Sequence, residues 1–464
     1  MQIFNSYTRK KEEFKTIKDG LVTMYVCGPT VYNRMHLGNV RPQVSFDILR
    51  RYLIFKGYHV DFVSNFTDVD DKIINKANEE GVDINTISKR YIESVKEDYE
   101  KLGVYKYPIE HPTCTEHMDD IIDFIKGLID KGFAYESNGS VYFRVRKLKE
   151  YGTLSNRNIE ELEVGARIEE NSEKEDPLDF TLWKEKKPGE PYWDSPWSEG
   201  RPGWHIECST MIKSRFGSTI DIHAGGEDLK FPHHENEIAQ SEALNDAPLA
   251  HYWMHNGMIN IDNIKMSKSL GNFFYANEFI ENEGAEVLRF FILNAHYRKP
   301  LNYSKDVIAS IKSVINRLRN SKKRLQSLID QNSGENAGEN CDILKQIDAI
   351  RASLIEHMDD DLDTPDAVTD WISLSKLINT ELDEKTPLDV LNHAKKLFDD
   401  FVLIFGVIED EDESLDIDIE NMIHERELAR KNKDYKRADE IRDELKAKGI
   451  ELKDTKDGVV WQRV

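Results

Sequence analysis

The stretch from Leu21 to Phe66 restricts the fold more than any other part of the chain. Leu21 to Cys27 has the β-branched and aromatic content of a strand, and Gly28-Pro29-Thr30 breaks it. Phe46, Leu49, Leu53 and Ile54 then fall on one face of a helix running from about Leu37 to Lys56. Gly57 stops that helix, and Val60 to Phe66 supplies a second strand. Strand, helix and strand in so short a span call for a right-handed crossover between parallel strands, the unit of nucleotide-binding sheets. The pattern returns downstream. Thr219 to Ala224 reads as a strand, Gly225-Gly226 as a turn, Pro232 as the opening of a helix to about Leu244, and Tyr252 to His255 as the next strand. The expectation is a Rossmann-like α/β domain in two halves, 1–109 and 202–272.

Between the halves, residues 110–201 read as an insertion. It holds helical stretches around Met118 to Asp130, a hairpin from Ala134 to Val145 turning on Asn138-Gly139, and a long Pro/Gly/Trp-rich loop between Trp183 and Trp204. The Thr67-Asp68 step leads into a helical segment before it. Beyond Asn272 the chain turns helical: a region 273–332, then a bundle 341–408 in which Ile343, Ile347, Ile350, Leu354 and Met358, and again Val390, Ala394, Leu397, Phe401 and Ile404, mark single helix faces. The segments 333–340 and 409–420 read as polar linkers. The last part, 421–464, reads as a helix stopped by Gly449 and a hairpin turning on Asp457-Gly458, a small α/β tip.

No apolar run approaches the ~20 residues that span a bilayer, and the N-terminal MQIFNSYTRKKEEF has no signal-peptide core. Four scattered cysteines (Cys27, Cys114, Cys208, Cys341) fit a reducing cytoplasm better than a disulfide framework. A net charge of −23 weighs against indiscriminate nucleic-acid binding, but it is unevenly spread. Residues 305–324 carry seven basic side chains against Asp306 alone, and 425–464 carry twelve basic against ten acidic. A basic stripe on an acidic body suits a selective RNA partner.

Two short motifs carry phosphate chemistry. Activating a carboxylate with ATP spreads negative charge over the α-phosphoryl group and the departing pyrophosphate, which calls for placed cations and donors. His36-Leu37-Gly38-Asn39 puts an imidazole and a glycine at a helix N-terminus, where free amides and the helix dipole favour anions. Lys265-Met266-Ser267-Lys268-Ser269 puts two ammonium groups on one loop. A metal set is also present: Cys27 at a strand end, Cys208, and His233 with Glu237 one helical turn apart, although spacing alone does not single it out from buried thiols and a surface His–Glu pair.

These stretches resemble the HIGH and KMSKS signatures of class I aminoacyl-tRNA synthetases. The longer segments resemble the cysteinyl-tRNA synthetases: Met24 to Tyr32, Asn65 to Lys72, GRPGWHIECS (200–209), DIHAGGEDLKFPHHENEIAQ (221–240), KMSKSLGN (265–272) and HYRKPLNYS (296–304). The resemblance implies ATP-dependent ligation of L-cysteine to tRNA(Cys) through an adenylate, by a monomer using ATP with Mg2+. It also implies one Zn2+ on Cys27, Cys208, His233 and Glu237 that takes the substrate thiolate. His36, Asn39, Lys265 and Lys268 would be catalytic; Gly226, Asp228, His36, Asn39 and Lys268 would bind ATP; Thr67, Trp204 and Asp228 would contact cysteine or its adenylate. Asn39 departs from the histidine usual at the fourth signature position, so an amide would replace a protonatable group there. Bundle and tip would read the anticodon, with Tyr435 or Trp461 stacking a base. A cysteine ligase acting on an amino sugar, a nucleotidyltransferase, and a non-catalytic RNA- or zinc-binding protein are the alternatives. The basic helix and tip weigh against the first, the metal set and helical tail against the second, and His36 with the two lysines against the third.

Overall fold

The computed structural model describes residues 1–158, 173–266, 273–332 and 342–409, and, nearer the C-terminus, 422–423, 426, 429–430, 435–447, 450–455 and 458–463. The expected linker 333–340, residues 410–420 of the expected linker 409–420, Cys341, Lys268, Gly449, Asp457 and the side chains of Lys265 and Trp461 lie outside what it describes. The chain divides into two compact units, Met1–Val407 and Ile408–Val464.

In the first unit, strands β1 (Gln2–Asn5) and β2 (Lys10–Glu13) form a hairpin, followed by β3 (Leu21–Val26), helix α1 (Leu37–Phe55) and β4 (His59–Val63). Helices α2 (Asp71–Glu80) and α3 (Ile84–Lys101) come next, each with an aspartate N-cap, Asp70 and Asp83. The insertion contributes α4 (Met118–Asp130) and strands β5 (Ala134–Ser137), β6 (Ser140–Phe143), β7 (Phe180–Glu185) and β8 (Gly200–Pro202). The second half of the central domain supplies α5 (Trp204–Phe216), β9 (Ile220–Gly226), α6 (His233–Asn245) and β10 (Ala250–Asn256). Three short strands follow, β11 (Ile259–Ile261), β12 (Ile264–Lys265) and β13 (Leu301–Tyr303), with α7 (Ala276–Glu283) and α8 (Ala285–Leu293) between the last two. Helices α9 (Lys305–Asp330), α10 (Asp342–Asp359), α11 (Thr364–Thr380) and α12 (Leu388–Phe405) complete this unit.

The central sheet has the order β10-β9-β3-β4 with every neighbour parallel, as the strand–helix–strand pattern requires. Chain order reverses between β3 and β9. That is the switch point where open α/β sheets bind ligands, beyond the carboxyl ends of their strands. Both halves thus deliver Cys27, just after β3, and the Gly225-Gly226 end of β9 to one crevice.

Four expectations need correction. The second strand ends at Val63 rather than Phe66, because Ser64 and Phe66 donate their amides to Glu110 and Pro112 while Thr67 pairs with Pro29 and Val31. Gly225-Gly226 is no turn; β9 runs through both, opposite His255 and Asn256. The glycine serves close packing instead, since a Cβ on Gly225 would stand 3.0 Å from His234 Cε1. The long Trp-rich loop is shorter than expected, because β7 and β8 extend the Asn138-Gly139 hairpin into a four-stranded antiparallel sheet. Finally, the basic stripe on α9 is partly spent inside the fold: Lys312 pairs with Glu283, Arg319 with Glu286, and Arg324 donates to Ile378 and Leu382 carbonyls.

Among the described residues, the insertion shares its core with the central domain. Ile121, Ile125 and Leu128 of α4, Phe143 of β6 and Trp183 of β7 share one buried apolar cluster with Met211, Ile212, Ile238 and Ala239 of α5 and α6. A second buried feature ties α1 to the helical region. Asp47 accepts from Arg51 at 2.9 Å, from Arg289 at 2.7 Å and from Arg50, all of them buried. Most of the other guanidinium donors reach carbonyls at two helix ends: Leu102, Gly103 and Val104 after α3, Leu403 and Phe405 at the end of α12; Arg50 Nη1 reaches Tyr107 and Pro108, and its buried Nε has no partner among the described residues. Three cations on one carboxylate are tolerable because those helix C-termini present partial negative charge. Gly406, at φ +61, closes the site, and a Cβ there would stand 2.7 Å from Arg289 Nη2.

The second unit holds helix α13 (Tyr435–Ala447) and the antiparallel pair β14 (Ile450–Thr455) and β15 (Gly458–Arg463). Ile423, Ile441, Leu445 and Ile450 form its small core.

Candidate functional site

At the switch point, four side chains from three elements converge. Cys27 follows β3, Cys208 lies on α5, and His233 and Glu237 lie one turn apart on α6, as the four-residue spacing requires. All four are buried. The two sulfurs are 3.9 Å apart, Cys208 Sγ is 3.6 Å from His233 Nε2, and Glu237 Oε1 is 3.6 Å from Cys27 Sγ and 3.0 Å from His233 Nε2. Zinc bonds of about 2.0–2.3 Å at tetrahedral angles imply ligand separations of about 3.3–3.8 Å. Three of these four separations lie within about 0.1 Å of that range, and all the donor atoms lie within 4.8 Å of one another. Cys27, His223, His234 and Glu237 also lie within bonding range of one ion. In that set, however, His223 is already committed to Glu237 Oε2 at 2.7 Å, and His234 bridges Cys27 and His255. The two-cysteine set fits zinc better, with these histidines orienting its ligands from outside.

The local electrostatics favour a cation. Burial pushes the Cys27 thiol well up, but the hydrogen bond from Cys27 holds the Cys208 thiol down to about 6 against its own burial. Burial opposes ionisation of Glu237, yet His223 and His233 outweigh it and hold the carboxyl well below the usual range. Burial works against a charged His233 too, but Glu237 and Cys208 raise it to about 10. Cys208 and Glu237 are thus the donors held toward their anionic forms, and a thiophilic divalent ion would bind them by displacing the His233 proton.

Around this set the histidines form ordered pairs. His205 Nδ1 lies 3.0 Å from His233 Nδ1, His234 Nδ1 lies 2.8 Å from His255 Nε2, and His255 Nδ1 reaches Ser6 Oγ at 2.9 Å. Trp204, 38% exposed, stacks on the His233 ring at 4.3 Å and leaves a partly open wall over the metal set. Thr67 is buried beside Gly28 and Pro29, its hydroxyl accepting from Asn65 Nδ2 at 3.3 Å. Gly28 cannot be larger, because a Cβ would fall 1.7 Å from the Asn65 carbonyl oxygen. Ser6 carries no sequence signal. Trp253, stacked on His223 at 4.4 Å, had only its place two residues from His255 on one strand.

The motif expected to handle phosphate lies at the start of α1. His36 is the N-cap, and Asn39, three residues on, accepts from the His36 amide at 3.3 Å. Asn39 thus supports the helix start through its oxygen, and its NH2 remains a donor. Gly38 is confined, since a Cβ there would meet the His36 ring at 2.9 Å. Gly226 ends β9 beside exposed Asp228, whose Oδ1 would stand 2.5 Å from a Cβ on that glycine. Lys265 pairs through its backbone with Asn260.

Three family models together cover most of the chain. Residues 13–313 match the class I (C) tRNA synthetase catalytic domain, residues 353–409 a DALR domain, and residues 412–461 a cysteinyl-tRNA ligase anticodon binding domain. The chain is 52% identical to the cysteine–tRNA ligase of Staphylococcus carnosus, over 99% of each chain. It is 53% identical to that of Halalkalibacterium halodurans, over 100% of this chain and 99% of the relative. Among solved structures, Mycobacterium tuberculosis methionyl-tRNA synthetase bound by methionyl-adenylate superposes with a TM-score of 0.62 at 15% identity, over 83% of this chain and 92% of that one. That likeness fixes the fold alone. No helix among the described residues is long and apolar enough to cross a membrane. Identity at this level over the whole length, on a class I fold, establishes that the chain belongs to the cysteine–tRNA ligase family of class I aminoacyl-tRNA synthetases.

Proposed function

We propose that the chain activates L-cysteine with ATP and transfers it to tRNA(Cys), and that Cys27, Cys208, His233 and Glu237 hold a zinc ion that selects the substrate. The observation that carries this reading is the convergence of those four donors at the ligand-binding end of the sheet. Bound there, zinc would supply a soft Lewis acid that prefers a thiolate to a hydroxyl. The protein's own groups do the rest. His223 and His205 orient Glu237 and His233, the Trp204 wall limits solvent access to the pocket, and Thr67 and Asp228 border the space for the amino acid and its adenylate.

For adenylate formation, His36, Asn39 and the amides at the start of α1 offer donors to ATP phosphates, with Gly226 admitting the nucleotide beside β9. Lys265 and Lys268 supply positive charge as Mg2+-bound pyrophosphate separates, where each contact counts most in the transition state. We assign 1–109 and 202–272 to the split catalytic domain, 110–201 to the insertion, 273–332 to the stem of the tRNA, and 341–408 with 421–464 to anticodon recognition. Tyr435, 63% exposed at the start of α13, is open to stack on a base.

Cysteine-dependent ATP–pyrophosphate exchange, followed by charging of purified tRNA(Cys), tests the reading. Exchange should require cysteine and be lost with a chelator. Exchange indifferent to cysteine, or transfer to an amino sugar in preference to tRNA, would contradict it.

A further inference from the structure

Arg41 sits in the second turn of α1, two residues beyond Asn39, and is 1% exposed. Its four hydrogen bonds all go to main-chain carbonyls. Nη1 donates to Gly257 at 2.7 Å and Met258 at 2.8 Å, and Nη2 donates to Tyr297 at 3.1 Å and Lys299 at 2.5 Å. Burial pushes the guanidinium down to about 10, with Glu227 the carboxylate that opposes this. So costly a buried cation calls for an explanation beyond packing.

The carbonyls it gathers belong to the root of a short sheet. Gly257 donates to Tyr297 and Leu301 donates to Met258, after which β11 runs parallel to β13 and antiparallel to β12. Gly257 admits no side chain, because a Cβ would stand 2.6 Å from the Lys299 carbonyl. β12 ends at Lys265, and the Met266 amide donates to Ile259. Lys268 follows two residues later in the sequence. On the far side of that segment the chain returns to the same helix start. Leu37 donates to Phe274, Ala276 donates to Met35, and the His36 and Phe273 rings meet edge to face at 5.3 Å.

We propose that Arg41 is a positioning residue for adenylate formation: its guanidinium fork fixes the incoming end of the segment that carries Lys265 and Lys268 to the helix that carries His36 and Asn39. The outgoing end is held by the backbone bonds at Met35 and Leu37, so the described flanks on both sides of that segment attach to α1 and the residues that lead into it. A planar five-donor fork can collect four carbonyls from two chain segments, and a lysine ammonium of the same charge cannot. The inference rests on the role given to Lys268 under Proposed function.

The test is single-turnover adenylate formation by the full-length, zinc-loaded protein carrying Arg41→Lys, Lys268→Ala or both, with Arg41→Met as a second variant. Displacing a catalytic loop by about 1 Å costs on the order of 10²-fold. Arg41→Lys should therefore slow adenylate formation by roughly 10- to 100-fold, and Arg41→Met by more. Cysteine affinity and zinc content of the Lys variant should stay near those of the parent, although it should melt lower because buried carbonyls lose donors. Because Arg41 acts through the lysine loop, the double variant should be little slower than Lys268→Ala alone. An unchanged rate in Arg41→Lys, a loss confined to cysteine affinity, or a double variant slowed by the full product of the two single effects would each overturn the proposal. An unchanged rate in Lys268→Ala alone would instead refute the role of Lys268, and this inference would fall with it.

Discussion

Replacing Asp47 by asparagine removes the one carboxylate that Arg50, Arg51 and Arg289 share, while keeping size and shape. All four side chains are buried, and the network ties α1 to the ends of α3 and α12. Breaking a buried ion pair by removing one partner costs about 3–5 kcal/mol, because the remaining charge stays buried without compensation. Unfolding entropy of about 2.1 cal/mol/K per residue gives a unit the size of Met1–Val407 about 0.85 kcal/mol/K, so the melting temperature should fall by about 4–6 °C. Lys126→Ala, which removes an exposed pair with Asp123, should shift it by less than about 1 °C. The same carboxylate makes a pH prediction. Burial would raise its pKa, but Arg289, Arg51 and Arg50 together hold it at about 2, against about 3.8 when unfolded. Its stabilising contribution is therefore present above about pH 4 and is lost as pH falls through 2, a change of about 2–3 kcal/mol. Calorimetry of parent and variant from pH 7 down to pH 2 should show a constant gap that narrows below pH 4. Equal melting temperatures at pH 7 would show that the guanidiniums are satisfied by the helix-end carbonyls alone, and the reasoning would fail.

Lys268→Ala should slow adenylate formation by ~10²–10³ with little change in cysteine affinity, measured by rapid quench; a raised Michaelis constant at unchanged rate would assign it to binding instead. Cysteine should be preferred to serine by ~10⁴–10⁵ in pyrophosphate exchange, beyond the ~10²-fold that size sorting supplies, and comparable rates for the two would exclude thiolate recognition. A protein ending at Val407, checked for folding, should keep cysteine-dependent exchange, lose tRNA affinity and show a flatter salt dependence by roughly one unit of slope per phosphate contact removed; full charging activity would remove the C-terminal unit from tRNA recognition.

The central sheet was legible because its signals are local. β-branched runs, a helix of 3.6-residue period and Gly57 at φ +93 each act within one element, and together they dictate parallel pairing. Gly225-Gly226 misled because the sequence cannot separate a glycine that turns the chain from one that makes room for His234. β7 and β8 escaped notice because β7 pairs with a hairpin some forty residues earlier, and β8, Gly200-Arg201-Pro202, is built mostly of residues that usually break strands. In the site, the metal set was named through family resemblance, since Cys27 and Cys208 are brought together only by the crossover between the two halves. Ser6 could not be found at all: its link to His255 exists only because the N-terminal hairpin lies against β10. Nor does residue type tell a basic side chain that meets RNA from one spent on a neighbour, as Lys312 and Arg319 are.

X-ray absorption at the zinc edge of the purified protein tests the central claim most directly. The account predicts about one zinc per chain, with two sulfur neighbours at about 2.3 Å and two nitrogen or oxygen neighbours at about 2.0–2.2 Å. L-Cysteine should add a third sulfur, serine should add none, and Cys208→Ala should lose the metal. A protein that activates cysteine at full rate without zinc, or whose zinc keeps two sulfurs when saturated with cysteine, would contradict it.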